Sequence, residues 1–459
     1  MKDTPFSRSL VHRELSALHI QDPGTASIRD IRRLTDSLEQ RAGKPFVRME
    51  MGIPGLSPPE VALQGEITAL TEGVAASYPP IAGVPRLKTE ISRFVRLFMD
   101  ISVPADCCVP TVGSINGCYA AFMAAGRRDR DRAAVLFMDP GFPVHKQLAR
   151  LIGLDQTSFD MYGFRGAKLE DKLRSMLDSR RVGLIVYSNP NNPAWICLNE
   201  QELAVVGRLA DDYDVVVLED LAYFGMDFRR DISVPGEAPF QPTVARYCDN
   251  YMLAISTSKA FSYAGQRIAM LAISANLFHR SFPDLGRFYD RTELGAALVY
   301  GTMYATTAGV THSTQYGLLA LLQAVNSGKL DFISPLHAYR DRAKRMKELF
   351  LANGFHLVYD RDLTEPIADG FYFTIAYPGM SGTDLVSELL PYGISAISLA
   401  TTGSERTEGL RLRVPGASGA HGAAGSAPGP VSCPSPFALA AAGAANSGKN
   451  VRWRTQCVR

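Results

Sequence analysis

Residues 252–267 read MLAISTSKAFSYAGQR, a short apolar run followed by a lysine that is flanked by hydroxyl side chains. Three further apolar runs of similar length precede it in the chain. The four runs are 133–138, 182–187, 215–218 and 252–255. Each is continuous rather than alternating, which is typical of strands that are buried on both faces of a parallel sheet.

Stretches with helical spacing separate these runs. In one of them, Leu203, Val206 and Leu209 mark a buried face, and Asn199 and Glu202 stand at the positions of an N-cap and its capping-box partner. Strands that alternate with helices form an α/β layer. The sequence therefore predicts an α/β fold built on a parallel sheet.

A second unit is predicted towards the C-terminus. It starts near residue 335 with a charged amphipathic helix over 339–352, and it includes a strand over 410–414. The first 50 residues hold too little apolar sequence for a core of their own, so we expect them to pack against this unit. From residue 415 to about 448 the composition changes to Ala, Gly, Ser and Pro, which predicts that residues 415–459 form a poorly ordered low-complexity tail, either native or aberrant.

The overall composition excludes several classes of protein. The chain has 459 residues, 46% of them hydrophobic and 20% charged, which is typical of a folded protein with two or three packed units. The 48 Lys and Arg residues against 46 Asp and Glu residues give a net charge of +2, and the basic residues form no stripe. Nucleic acid is therefore not an expected partner.

The seven cysteines are odd in number, and none forms a CxxC pair or stands at zinc-ligand spacing with a histidine. They predict reduced thiols, a cytoplasmic location and no metal site. The N-terminus lacks the order of residues found in a secretory signal. Residues 294–311 carry no charge, but glycines and threonines interrupt them, so a buried helix and loop is predicted there and no membrane span.

Ligands of an α/β sheet bind at the carboxyl ends of its strands, so the segments after the four runs are candidate sites. Lys259 lies shortly after the fourth run, with Ser256 and Ser258 before it and Arg267 eight residues on. A lysine amine can form a Schiff base with an aldehyde. The planar guanidinium of an arginine can bond two oxygens of a phosphate at once.

Polar and aromatic side chains follow the other three runs. Asp220 and Tyr223 come after the third run, and Asn192 belongs to the turn-rich sequence SNPNNP after the second. Phe142 and His145 come after the first run. Each of these residues alone is more typical of a turn, a helix cap or a core, so only their joint occurrence indicates a site.

Two further segments lie upstream. Gly113, Ser114 and Ile115 open an apolar helix, and a Gly-Ser turn at that position aims backbone N–H groups and the helix dipole at an anion. Tyr78 begins the sequence YPPIAG, and Gly52 lies in the sequence MGIPG.

Taken together, these segments resemble the class I/II pyridoxal-phosphate-dependent aminotransferases, which belong to the fold type I (aspartate aminotransferase) superfamily. The resemblance covers about residues 45–414 and keeps the family's order of motifs. One departure is Ala194-Trp195, where the family usually has Thr-Gly or Ser-Gly. The resemblance is carried by Tyr78, Gly113, Ser114, Phe142, Asn192, Asp220, Tyr223, Lys259 and Arg267.

The resemblance implies a role for each of these residues. Lys259 would form the Schiff base with pyridoxal 5′-phosphate, and Asp220, supported by His145, would pair with the protonated ring nitrogen. Tyr223 and Asn192 would hydrogen-bond the phenolate oxygen of the ring. The remaining cofactor-binding residues implied are Phe142, which stacks on the ring, and Tyr78, Gly113, Ser114, Ile115, Ser256, Ser258 and Arg267.

The implied substrate-binding residues are Gly52, Asn192 and Arg411. Gly52 would lie in a loop that passes close to the substrate, and Arg411 would bind the α-carboxylate bidentately. Arg411 is favoured by its spacing from Gly409. Arg413 lies two residues on, hence on the same face of the predicted strand, and stays open as an alternative.

The fold implied by the resemblance is a large domain over 56–325 with a mainly parallel seven-stranded sheet, and a smaller α+β domain formed by both chain ends. Residues 1–55 would pack on the small domain, which would run over 326–414. Tyr78 would reach the phosphate of a neighbouring subunit, so a homodimer with shared active sites is expected.

The implied function is transfer of an amino group from an amino acid to a 2-oxo acid through Lys259. A lyase or decarboxylase acting on an amino acid with the same cofactor stays open, because the sequence does not show which bond of the substrate stands perpendicular to the ring. A DNA-binding regulator with a domain of this fold is disfavoured, because no helix-turn-helix motif precedes Gly52.

Overall fold

A computed structural model describes residues 4–415 of the chain. The strands, in chain order, are β1 (Val47–Arg48), β2 (Cys108–Thr111), β3 (Ala134–Asp139), β4 (Asp155–Asp160), β5 (Val182–Ser188), β6 (Val216–Leu221), β7 (Tyr251–Ser256), β8 (Ala269–Ile273), β9 (His356–Leu357), β10 (Arg361–Asp362), β11 (Glu365–Pro366), β12 (Tyr372–Ala376), β13 (Ile394–Ser395), β14 (Ile397–Ser398) and β15 (Gly409–Arg413). The α-helices are α1 (Arg8–Ala17), α2 (Ile28–Ala42), α3 (Glu60–Thr71), α4 (Pro85–Met99), α5 (Gly113–Ala125), α6 (Pro143–Leu151), α7 (Lys168–Leu177), α8 (Glu200–Asp212), α9 (Thr257–Ala260), α10 (Ala275–His279), α11 (Leu294–Ala296), α12 (Tyr304–Thr307), α13 (His312–Asn326), α14 (His337–Ala352) and α15 (Gly382–Leu389).

The larger compact unit, residues 56–337 and 361–368, is built on a seven-stranded sheet with the strand order β2-β8-β7-β6-β5-β3-β4. Every neighbouring pair from β7 to β4 is parallel, whereas β8 is antiparallel to both β7 and β2. The four apolar runs of the sequence form β3, β5, β6 and β7. The predicted α/β fold with a mainly parallel sheet is therefore confirmed.

Helix α8, between β5 and β6, begins where the sequence predicts. The side chain of Asn199 accepts a hydrogen bond from the Glu202 N–H at 2.9 Å, and the Glu202 carboxylate accepts one from the Asn199 N–H at 3.1 Å, which completes the capping box of α8. Leu203, Val206 and Leu209 are buried. Such a helix packs its apolar face on the sheet and leaves the strand ends open to ligands.

The smaller unit comprises the described residues 4–55, 338–360 and 369–415. Its main sheet has four antiparallel strands in the order β14-β15-β12-β9, and β1 pairs in parallel with β13. An apolar cluster includes Phe6 and Phe46 from the N-terminal segment, whose rings lie 4.4 Å apart, together with Leu390. The predicted domain bounds over 1–55, 56–325 and 326–414 stay predictions.

The uncharged segment 294–311 forms α11, a π-helical stretch over Ala297–Met303, α12 and a loop, as the sequence predicts. Across residues 4–415, no helix has the length and apolar character needed to span a bilayer. The low-complexity tail predicted over 415–459 lies outside the described residues apart from its first residue, Pro415.

Candidate active site

The carboxyl ends of the parallel strands bring Lys259 and Asp220 together. Lys259 lies in α9, which begins directly after β7, and Asp220 lies near the end of the neighbouring strand β6. In the β6–β7 ladder Asp220 is opposite Ala254, two residues before the end of β7. Burial raises the pKa of Asp220, and the positive charge of Lys259 acts against that rise.

The carboxylate of Asp220 is buried and carries few hydrogen bonds. Its Oδ1 accepts one from the Ala222 N–H at 3.1 Å, and its Oδ2 lies 3.5 Å from Nε2 of His145. Burial raises the pKa of Asp220 to about 7, although the Ala222 N–H and Lys259 act in the opposite direction. A further positive charge beside this carboxylate would stabilise its ionised form.

Glu219 precedes Asp220 in β6 and therefore points to the opposite face of the sheet. Its Oε2 accepts hydrogen bonds from the Thr243 hydroxyl at 2.6 Å and from the Val244 N–H at 3.1 Å. Burial also raises the pKa of Glu219, to about 7. Glu219 is thus tied into the protein interior, which leaves Asp220 as the carboxylate that faces Lys259.

His145 and Phe142 lie in the segment after β3. Phe142 is the N-cap residue of α6, and its ring lies edge-on to the His145 ring at 5.5 Å. Burial lowers the pKa of His145 to about 4, so the imidazole is neutral at pH 7. A neutral imidazole can hydrogen-bond Asp220 without cancelling its charge.

The SNPNNP segment after β5 is fixed by its own amides. The Asn191 side-chain amide donates to the Pro140 carbonyl at 2.8 Å, which ties this loop to the segment after β3. The Asn192 N–H donates to the Ser188 hydroxyl at 3.1 Å. The side-chain oxygen of Asn192 is buried and has no hydrogen-bond partner among residues 4–415. Ser188 and Asn191 are positioning residues that the sequence analysis did not single out, although both lie within the motif.

Tyr223 follows β6 and is buried against Trp195. The two rings meet edge to face, with centroids 5.3 Å apart. Trp195 has a φ of 62°, in the left-handed region that favours glycine, and is fully buried. The departure from the family pattern therefore places a large aromatic ring next to a residue of the candidate site.

Gly113 and Arg267 form a tight cradle. A Cβ atom on Gly113, whose φ is 69°, would lie 2.5 Å from Nη2 of Arg267. The Arg267 guanidinium also donates to the Ala264 carbonyl at 2.9 Å. Gly113 opens the 13-residue helix α5, so Arg267 lies at the positive end of the helix dipole.

The other predicted phosphate ligands flank this cradle in the chain. Ser256 caps α9, and its hydroxyl accepts a hydrogen bond from the Ser258 N–H at 3.2 Å. Ser114 and Ile115 occupy the first turn of α5, where backbone N–H groups have no intrahelical partner. Tyr78 is 91% exposed and lies before α4.

Two of the three predicted substrate residues, Gly52 and Arg411, lie in the smaller unit, and Asn192 lies in the larger one. Arg411 is buried in β15, donates from Nη2 to the Glu50 carbonyl and lies over the Tyr372 ring, 4.8 Å from its centroid. A Cβ atom on Gly52 would overlap the Tyr372 hydroxyl. Arg413 donates to the Ile53 carbonyl at 2.6 Å and to a second backbone carbonyl, so most of its guanidinium is already bonded.

The side chains at the strand ends fit the cofactor implied by the sequence. The buried carboxylate of Asp220 is suited to a cationic ring nitrogen. The side-chain N–H of Asn192 is the part of its amide that can donate to a ring oxygen. The cradle of Gly113 and Arg267, where an added Cβ would collide with the guanidinium, is suited to a phosphate. Lys259 supplies the amine.

The chain is similar to known aminotransferases. The aspartate aminotransferase of Pyrococcus horikoshii is 24% identical over 51% of this chain and 58% of its own length. The glutamate-pyruvate aminotransferase AlaC of Escherichia coli is 28% identical over 54% of this chain and 60% of its own length. The chain thus spans about three fifths of the length of these curated relatives.

Solved structures show the same fold. An aspartate aminotransferase from Thermus thermophilus superposes with a TM-score of 0.69 at 18% identity, covering 88% of this chain and 94% of that one. The family model for aminotransferase class I and II matches residues 45–415, which is most of the chain. The chain therefore belongs to the aminotransferase class I and II family, whose cofactor is pyridoxal 5′-phosphate.

Proposed function

We propose that this protein is an aminotransferase that moves an amino group from an amino acid to a 2-oxo acid with pyridoxal 5′-phosphate as cofactor. The observation that carries the proposal is the placement of Lys259, directly after β7, and of the buried carboxylate of Asp220, at the end of the neighbouring strand β6. A lysine amine supplies the covalent attachment, and a buried anion keeps a pyridine ring protonated.

The cofactor, when bound, supplies an electron sink for the substrate carbon that carries the amino group. Asp220 would hold the proton of the ring nitrogen in place, and the neutral imidazole of His145, 3.5 Å away, would orient the carboxylate. Lys259 Nζ would take the α-proton of the substrate and return it later in the reaction. Tyr223 and the side-chain N–H of Asn192 would donate hydrogen bonds to the cofactor.

The phosphate is assigned to the Gly113 cradle. Arg267 offers a guanidinium, the first turn of α5 at Ser114 and Ile115 offers backbone N–H groups, and Ser256 and Ser258 offer hydroxyls. Phe142 would cover one face of the ring, since it follows β3 at the same edge of the sheet as Lys259.

Arg411 is the proposed ligand of the substrate carboxylate. Nε is buried and has no hydrogen-bond partner among residues 4–415 in both Arg411 and Arg413, so this atom does not distinguish the two. Nη2 of Arg411 bonds the Glu50 carbonyl, whereas Nη1 and Nη2 of Arg413 both bond backbone carbonyls. Arg411 therefore keeps more of its terminal donors for a bidentate carboxylate. Gly52 and Asn192 complete the proposed substrate contacts.

We also infer a homodimer. Tyr78, Tyr300 and Tyr304 are 91%, 57% and 58% exposed, and large aromatic side chains in solvent are typical of an interface. The loop before Tyr78 lies against the segment after Tyr304, because Nδ1 of His312 is 3.1 Å from the Val74 carbonyl oxygen. These side chains would therefore form one surface, with Tyr78 free to reach a second subunit.

A cytoplasmic location is proposed from the cysteines. The five cysteines within residues 4–415 are buried free thiols, as expected in a reducing compartment.

The proposed activity is tested by mixing the purified holoprotein with a panel of amino acids and recording which of them convert the bound cofactor to its pyridoxamine form. A second panel of 2-oxo acids should reverse the change. Reduction with borohydride followed by peptide mapping should place the cofactor on Lys259. Lys259→Ala should abolish turnover and the covalent attachment.

The lyase and decarboxylase alternatives predict different products. Release of carbon dioxide, ammonia or pyruvate at a rate above that of amine transfer would contradict the proposal and identify one of them. Absence of any cofactor adduct at Lys259 would contradict both the transferase and its alternatives.

A further inference from the structure

Three side chains of different chemistry meet at one edge of the seven-stranded sheet, outside the candidate active site. Asp106 and Cys107 belong to the short turn Ala105–Cys107 that precedes β2, and His279 ends α10. Sγ of Cys107 lies 3.7 Å from Nε2 of His279 and 3.8 Å from Oδ1 of Asp106. Nε2 of His279 lies 3.2 Å from Oδ2 of Asp106.

Paired secondary structure fixes the position of Asp106 and Cys107 relative to His279. β2 and β8 are paired, with Cys108 opposite Ala272, so Cys107 and the start of α10 leave the same end of one ladder. Ser274 caps α10 by accepting a hydrogen bond from the Leu277 N–H at 3.1 Å. The cluster is thus anchored on a paired strand, a capped helix and a turn, which limits the motion of its ligand atoms.

We propose that Asp106, Cys107 and His279 bind a zinc ion. A tetrahedral ion with a Zn–S distance of about 2.3 Å and Zn–N and Zn–O distances of about 2.0–2.2 Å places its ligand atoms about 3.3–3.7 Å apart. Sγ of Cys107 lies 3.7 Å from Nε2 of His279 and 3.8 Å from Oδ1 of Asp106, whereas the 3.2 Å contact of Nε2 is made with the other carboxylate oxygen, Oδ2. With one ligand atom taken from each residue, all three atoms lie within 4.8 Å of one another. A rotation of the exposed Asp106 carboxylate that brings one oxygen towards both partners would close the site.

The ligand set selects the class of metal. Mg²⁺ and Ca²⁺ prefer oxygen ligands, whereas a thiolate and an imidazole together favour Zn²⁺ and its neighbours among the divalent transition metals. The thiolate is the ligand form of cysteine, so binding releases the Cys107 thiol proton to solvent. No electron transfer is involved.

A cavity of about 290 Å³ adjoins the cluster and gives the fourth coordination position access to water. Asp106 and His279 line it together with Lys88, Arg291 and Glu293. Nζ of Lys88 donates to the Asp106 carbonyl oxygen at 3.2 Å, which fixes the backbone of the turn. The positive charges of Lys88 and Arg291 are balanced by the negative charges of Asp106 and Glu293. The Cys107 thiolate then gives the site a net negative charge, which favours a divalent cation.

This site is distinct from the candidate active site. β2 runs from the cluster at its first residue to the Gly113 cradle just beyond its last, and four residues of strand span about 13 Å. The sequence offered no spacing signal, because Cys107 and His279 are separated by 172 positions.

The proposal is tested on the full-length holoprotein with the metal alone. Equilibrium dialysis against Zn²⁺ should give one bound ion per chain. Co²⁺ should compete for the same site and produce the visible bands of a tetrahedral ion together with a thiolate-to-cobalt charge-transfer band. His279→Ala and Cys107→Ser should each weaken Zn²⁺ binding at least tenfold, and Cys107→Ser should remove the charge-transfer band.

Matched controls are Cys108→Ser, which alters the buried neighbouring cysteine, and His356→Ala, which removes an exposed histidine of the smaller unit. Both should bind Zn²⁺ like the unaltered protein. The His279 side chain is 60% exposed, so its variant folds even if a change at the buried Cys107 does not. Unchanged Zn²⁺ affinity in His279→Ala, or no charge-transfer band in the unaltered protein, would overturn the proposal and leave an ion pair of Asp106 and His279.

Discussion

Oδ2 of Asp220 lies 3.5 Å from Nε2 of His145, and both side chains are buried. Burial lowers the pKa of the imidazole to about 4, so the ring beside this carboxylate is neutral at pH 7 and the contact is not an ion pair. Because a neutral His145 adds no positive charge and burial raises the pKa of Asp220 to about 7, a cation at the strand ends would stabilise the ionised form of this carboxylate. Several predictions depend on that charge.

Replacing Asp220 by Asn should lower kcat for amine transfer by at least a hundredfold. Asn keeps the size of the side chain but removes the charge that holds the ring nitrogen protonated. Steady-state kinetics with the best amino donor measures the loss, and the absorption spectrum of the bound cofactor should change with it.

Glu219→Gln is the matched control for this substitution. Glu219 is the preceding residue and equally buried, with its pKa also raised to about 7, but it bonds Thr243 and Val244 on the opposite face of the strand. Its variant should keep kcat within a few fold and change the free energy of unfolding instead. Equal losses of kcat in both variants would argue against a specific role for Asp220.

The stability of the cofactor-free protein should depend on pH through Asp220. Burial raises the folded-state pKa of Asp220 from its ordinary 3.8 to about 7, so the folded protein binds this proton more tightly than the unfolded chain. The resulting stability is complete below about pH 4 and is lost as the pH rises through about 7. Urea unfolding should show that the free energy of unfolding falls more between pH 5 and pH 8 in the unaltered protein than in Asp220→Asn.

His145 contributes with the opposite sign, since its folded-state pKa of about 4 lies below the ordinary 6.5. Its contribution is lost as the pH falls from about 6.5 through about 4, and it is present in both proteins. The difference between the two unfolding series therefore isolates Asp220. Parallel pH profiles would contradict the assigned shift.

Gly113→Ala should weaken cofactor and inorganic phosphate binding at least tenfold. The added methyl group would lie 2.5 Å from Nη2 of Arg267 and push the guanidinium from its position. Gly153→Ala is the control, because Gly153 has a φ of 72°, close to the 69° of Gly113, but nothing within 4 Å of the new atom. Both should lose about 1–2 kcal/mol of stability from the left-handed backbone, and only Gly113→Ala should lose phosphate affinity.

Variants of the two arginines of β15 should differ in whether they change KM or Tm. Arg411→Gln should raise KM for both the amino acid and the oxo acid at least tenfold, because a bidentate carboxylate contact is lost. Arg413→Gln should lower Tm with a small change in KM, because its guanidinium bonds the Ile53 and Arg48 carbonyls. The reverse assignment of KM and Tm effects would make Arg413 the carboxylate ligand.

Local sequence patterns were enough to predict the strands and the sheet edge, because continuous apolar runs and the Asn199 cap are decided within a few residues. The family and its cofactor were also predictable, since Lys259, Asp220 and Asn192 stand in recognisable motifs. Only the structure shows that Glu219 is bonded to Thr243 and Val244 on the opposite face of β6 from Asp220. The contacts of Gly113 with Arg267 and of Cys107 with His279 join distant positions and left no local signal.

The antiparallel pairing of β2 with β8 has a consequence for folding kinetics. Thr111 is opposite Ala269 in that ladder, and this pairing brings the two sides of the Gly113 cradle together across more than 150 residues of chain. Contacts between such distant positions close a long loop and form slowly. Affinity for inorganic phosphate should therefore appear late during refolding, after the local helices have formed. The time at which it appears would report when the sheet is complete.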